Sequence, residues 1–116
     1  LWRRTDLGIQ IHIWGAGTSP VIHGDVCFLN FGPGETTYLL AVNKRTGKTV
    51  WKHDEETGYG KPPTPDVKGA KAGQPATYIG SWSTPFITRV EGNDQVLVSW
   101  PRRLAAYDPA SGRELW

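Results

Sequence analysis

Ala41-Val-Asn-Lys-Arg-Thr-Gly-Lys-Thr-Val-Trp51 returns as Ala106-Tyr-Asp-Pro-Ala-Ser-Gly-Arg-Glu-Leu-Trp116, so that both stretches read Ala-x-Asn/Asp-x-x-Thr/Ser-Gly-x-x-x-Trp. The two closing tryptophans lie 65 positions apart, and Ser19-Pro20-Val21-Ile22 precedes Thr84-Pro85-Phe86-Ile87 by the same interval. Between these anchors each copy has a turn followed by an apolar run, Gly24–Leu29 and Gly92–Val98. The register differs there by a few residues, and the shorter turn at Ser99–Arg103 recovers it. Leu1-Trp2 matches the end of the motif a third time, 49 positions before Trp51, so the second repeat is longer by 16 residues. A repeat on this scale decides architecture before any local motif is weighed.

Composition narrows the field. The 116 residues carry 13 Lys and Arg against 11 Asp and Glu, a net charge of +2 that gives no basic face for nucleic acid. No apolar stretch is long enough to span a bilayer. The lone Cys27 leaves no partner for an internal disulfide and no zinc cluster. The sequence holds no Met and opens and stops within its own motif, which reads as a piece of a longer polypeptide.

Fourteen Gly, nine Pro and six Trp suit short strands joined by many turns. The strands expected in the first repeat are Thr18–Ile22, Val26–Asn30, Tyr38–Val42 and Thr49–His53. In the second they are Thr84–Thr88, Gln95–Trp100, Leu104–Tyr107 and Arg113–Trp116. No window has a helical period. The expected fold is all-β: two four-stranded antiparallel blades of a partial β-propeller. Residues 1–15 end a preceding blade and connect onward, 16–53 form one blade, 54–78 a long inter-blade loop, and 79–116 the second blade. Such a pair is expected to expose an inter-blade face at each end.

The motif has a mechanical reading. Asn43 and Asp108 place a side-chain oxygen where it can accept from amides of the following turn. Gly47 and Gly112 supply a positive φ. Ala41 and Ala106 are small enough for a neighbouring blade's bulk to lie against them. Trp51 and Trp116 project from the outer strand, where an indole can fill the gap between blades.

On these residues the chain resembles the PQQ-like repeat propellers, the quinoprotein-type family with tryptophan-docking motifs. Trp14-Gly-Ala-Gly-Thr-Ser-Pro20 and Gly80-Ser-Trp-Ser-Thr-Pro85 resemble its secreted bacterial members without assigned activity. The resemblance covers nearly the whole chain and implies a propeller whose remaining blades are the chain's first partners. It also implies export to the periplasm or beyond.

Alternating strands would gather 14–17, 31–35, 54–82 and 100–103 on one loop-rich face, where a protein or small molecule would bind. Candidate ligand-face residues are Trp14 and Trp82, able to stack on a planar or sugar-like ligand, with Tyr59, Lys61 and Arg102. Tyr59, Lys61, Lys68 and Lys71 lie in the Pro- and Gly-rich excursion that reads first as solvated surface and second as a lid for an anionic ligand. Packing beneath blade junctions is the simpler role for Trp14 and Trp82. His12, His23 and His53 have no ligand spacing, and Ser81 and Ser83 lack a nucleophile elbow. Asp54, Glu55 and Glu56 read as a solvated loop start, Cys27 as a small core residue, and Gly32-Pro-Gly34 as a hairpin turn.

Nothing in the chain assembles a catalytic set, so the reading is a non-catalytic binding or interaction scaffold with no evident cofactor. The alternative is part of a quinoprotein alcohol or sugar dehydrogenase using PQQ and calcium. The resemblance would then imply a Glu/Asn/Asp calcium set and a catalytic Asp, none of which maps onto residues here. A third reading is a propeller of the outer-membrane assembly type that offers its rim to protein partners.

Overall fold

A computed structural model describes residues 1–8, 15–33, 36–55, 80–101 and 103–116. Its strands are β1 (Val21–His23), β2 (Val26–Phe31), β3 (Tyr38–Asn43), β4 (Thr49–Asp54), β5 (Phe86–Val90), β6 (Asn93–Trp100) and β7 (Arg103–Tyr107). They form two antiparallel sheets in simple sequence order, β1-β2-β3-β4 and β5-β6-β7, with no helix among the described residues.

The second sheet has three strands rather than the four expected. Arg113–Trp116 contributes an isolated bridge, Tyr107 to Glu114, and two backbone bonds, Leu115 N to Ala106 O at 2.7 Å and Ala106 N to Trp116 O at 2.9 Å. The bridge is the counterpart of the Val42–Thr49 pair, which follows a register shift after Ala41–Trp51. In the first sheet the ladder runs on through Lys52–Asp54.

The first strand of each sheet also starts later than expected, at Val21 and Phe86. Pro20 and Pro85 have no N–H to give a ladder. The residues ahead of them bond elsewhere: Thr18 Oγ1 donates to Asn30 O at 2.8 Å, and Ser19 N donates to Thr84 Oγ1 at 3.1 Å.

Pairing aligns Val21, Phe28, Ala41 and Trp51 in one row across the first sheet. Phe86, Leu97 and Ala106 form the matching row of the second, extended to Trp116 by the two bonds above. Each row member has its counterpart 65 positions on, except Phe28 and Leu97, which are 69 apart; this is the register difference legible in the sequence.

Alternation along β3 sends its side chains to opposite faces of the sheet. Leu39 and Ala41 join Phe28 and Trp51 in one buried cluster with Val96, Val98, Trp100, Ala105 and Tyr107 of the second sheet. Tyr38, Leu40 and Val42 point the other way, where Leu7, Cys27 and Phe31 pack on them. The main core thus joins one face of the first sheet to one face of the second. Cys27 takes the small apolar role expected of it, and burial pushes its thiol above the ordinary 9.0.

Candidate functional site

The two copies of the motif fold alike. Asn43 Oδ1 accepts from Arg45 N and Thr46 N, both at 3.0 Å, and Asp108 Oδ1 accepts from Ala110 N at 3.1 Å and Ser111 N at 2.7 Å. Gly47 N donates to Asn43 O at 2.8 Å, and Gly112 N to Asp108 O at 2.9 Å. The glycines have φ of 72° and 74°. In Asp108 these bonds, led by the Ser111 hydroxyl, hold the carboxyl below its ordinary 3.8.

The glycines have a second reason to be glycine, which the pattern alone did not reveal. A Cβ on Gly112 would lie 2.5 Å from Cδ2 and 2.6 Å from Cε3 of Trp51, and one on Gly47 would meet the same atoms of Trp2 at the same distances. Trp51 Nε1 donates to Pro109 O, and Trp2 Nε1 to the equivalent Lys44 O, each at 2.9 Å. Each indole therefore lies flat on the turn of the following unit and is pinned by that turn's carbonyl. Ala41 and Ala106 are fully buried, but the close approach is to the glycines. Trp116 instead donates from Nε1 to Gln95 Oε1 at 3.1 Å within its own unit.

A polar seam joins the units at the loop-rich end. Asn30 is fully buried at the end of β2, and its Nδ2 donates to Ser83 O at 2.8 Å and Ser81 O at 3.1 Å. Ser81 Oγ donates to Ser99 O, tying the same segment to β6. The indole of Trp82 lies over Gly17, where a Cβ would come within 2.8 Å, and Nε1 donates to Gly15 O at 3.3 Å. Trp82 thus packs on the segment before β1 while part of its ring stays exposed. Trp14, Tyr59, Lys61 and Arg102 lie outside the described residues, as do Lys68, Lys71, His12, Glu56 and Gly34.

Glu55 corrects the sequence reading. It is buried, not the start of a solvated loop, and both its oxygens are taken by the Arg103 fork: Nη2 to Oε2 at 2.6 Å and Nε to Oε1 at 3.2 Å. Arg103 Nη1 also donates to Glu114 Oε1 at 2.7 Å, and the carboxylates raise the guanidinium pKa above its ordinary value. The His53 ring lies 4.6 Å from that of Tyr107, tilted by 59°, with Nε2 3.8 Å from Glu114 Oε2. Tyr107 in turn accepts from Trp100 Nε1 at 2.8 Å, and burial raises its phenol to about 12. A bidentate Arg–carboxylate pair is the geometry in which a buried charge is tolerated. At the opposite end His23 Nε2 lies 3.1 Å from Asp94 Oδ2, and Arg89 donates from Nε to Asp94 Oδ1 at 2.7 Å.

Calcium takes six to eight oxygen ligands at carboxylate-rich sites. Among the described residues no three His, Cys, Asp or Glu side chains are grouped to hold a metal. The buried carboxylate Glu55 has both oxygens committed to Arg103. These residues do not supply a calcium–quinone site. No helix among the described residues is long and apolar enough to cross a membrane. No family model, curated protein or solved structure matches the chain.

Proposed function

We propose that the chain is a pair of blades of a PQQ-like repeat β-propeller, working as a non-catalytic scaffold whose loop-rich face binds a protein or small-molecule partner. The observation that carries this reading is the duplicated seat of Trp2 on Gly47 and Trp51 on Gly112, alike in ring contact and in hydrogen bond. A contact made twice with the same geometry at repeat spacing is an assembly rule, and a series of such units builds a scaffold. The charged groups support the same role. Glu55, Arg103 and Glu114 are spent on one another across the two units, as are His23, Asp94 and Arg89 at the other end.

Under this reading the remaining partners are further blades of the same kind, and the protein works in the periplasm or outside the cell. The test is addition of PQQ and calcium to the intact chain, followed by quinone absorbance and dye reduction. The scaffold reading expects neither uptake nor turnover. Calcium-dependent quinone binding with dye reduction would replace it with the dehydrogenase.

A further inference from the structure

Among the described residues, three contacts between ionisable side chains cross from one unit to the other: Glu55 with Arg103, His23 with Asp94, and His53 with Glu114. The first is a permanent ion pair. The other two set a histidine of the first unit against a carboxylate of the second, one at each end of the joint. Each of these carboxylates is already held by an arginine of its own unit. Arg89 donates to both oxygens of Asp94, from Nε at 2.7 Å and from Nη2 at 3.2 Å. Arg103 donates to Glu114 Oε1, while Oε2 faces His53. The acid is thus oriented before the histidine is counted, and Arg89 keeps the Asp94 carboxyl below its ordinary 3.8. Histidine is the side chain that changes charge between about pH 5 and 8. A fixed anion on one unit is therefore presented to a titratable group on the other.

The charges around each histidine set the sign. His53 stands beside Glu55, Arg103 and Glu114, two carboxylates against one guanidinium, so a proton on its ring balances the group. Tyr107, whose ring lies against His53, keeps its phenol neutral through this range because burial raises it to about 12. Lys52 and Asp54, on the same strand, pair with each other. His23 stands beside Asp94 and Arg89 of the second unit and near Asp25 of its own hairpin, which Lys44 and Arg45 hold. Arg89, Lys44 and Arg45 oppose a proton there, and the direct 3.1 Å contact with Asp94 Oδ2 favours it. We propose that the joint between the two units is a proton-operated clasp: charging His23 and His53 adds an ionic tie at each end and tightens the sheets on one another. The units are then held most firmly between the carboxylate and the histidine ranges, and the ties are lost as pH rises through the latter. The clasp belongs to the joint and needs no ligand on the loop-rich face.

Urea unfolding of the full chain at about pH 8 and about pH 5.5 tests it, with far-ultraviolet circular dichroism to show that each variant is folded. Combining His23→Gln with His53→Gln keeps hydrogen-bonding side chains at both positions but removes the charge. The ratio of its unfolding constant to that of wild type should be about fivefold larger at the lower pH, the sum of two partly exposed pairs. His12 is common to every variant and drops out of the ratio. In a background of Asp94→Asn with Glu114→Gln, the same histidine replacements should give one ratio at both pH values. That background separates an ionic tie from packing by the imidazole rings. An equal ratio at both pH values in the native background overturns the proposal, as does a ratio larger at pH 8. So does a pH dependence that survives when the two carboxylates are gone.

Discussion

The indole of Trp51 lies on the backbone of Gly112 and donates to Pro109 O at 2.9 Å, joining the outer strand of one sheet to the last turn of the next. This contact spans 58 positions for its hydrogen bond and sits at the edge of the shared core, with Phe28 at a ring separation of 5.7 Å. A single residue type at position 112 therefore meets two demands, a left-handed φ and an absent side chain.

Those two demands separate by substitution. Gly112→Ala should destabilise the chain by about 3 kcal/mol, combining left-handed strain with displacement of the indole. Gly24→Ala is the control: φ is 56° but nothing lies within 4 Å of the added Cβ. It should cost only about 1–2 kcal/mol. Urea unfolding of both variants reads the difference, and equal losses would remove the steric role given to Trp51.

Trp51 and Trp2 make the same bonds with different burial. Trp51→Ala should cost about 3–5 kcal/mol, as expected for a buried aromatic. Trp2→Ala should cost less, because Trp2 is already 43% exposed against 9% for Trp51. Thermal or urea denaturation at a concentration where the chain is monomeric makes the comparison.

Arg103→Ala leaves the buried Glu55 carboxylate without its partner, a loss of about 3–5 kcal/mol. Replacing both, as Glu55→Gln with Arg103→Met, removes the charge along with its partner and should recover most of that loss. A double-mutant cycle by urea unfolding measures the coupling. Additive losses would show that the pair is not coupled.

Asp108 and Asn43 do the same work, but only Asp108 titrates. Its folded carboxyl lies below the ordinary 3.8, so its contribution is present above that value and is lost as pH falls through the lower folded one. The gap between Asp108→Asn and wild type should therefore narrow as acid is added, being full only above the ordinary carboxylate range and closed below the lower folded value. Stability measured from neutral pH into strong acid checks the sign. A gap that widens in acid would contradict the assignment.

Some of this was legible in residues taken alone. Asn43 with Gly47, and Asp108 with Gly112, announced their turns because the bonding partners lie two to four positions away. A register difference of a few residues between the repeats was legible too, because the repeat supplies an internal comparison; that it sets Phe28 against Leu97 came from the strand pairing. Glu55 was not legible. It stands in an acidic run beside a Gly- and Pro-rich stretch, and its burial depends on Arg103, which arrives from another strand.

The sequence by itself determined an all-β chain, its two repeats and the chemistry of their turns, since chain connectivity holds those partners together in any compact state. Only the tertiary structure decided that Trp2 and Trp51 seat on Gly47 and Gly112, and that Glu55 is enclosed with Arg103. These depend on which surfaces meet across tens of residues. Burial is a property of that meeting, not of the residue that is buried.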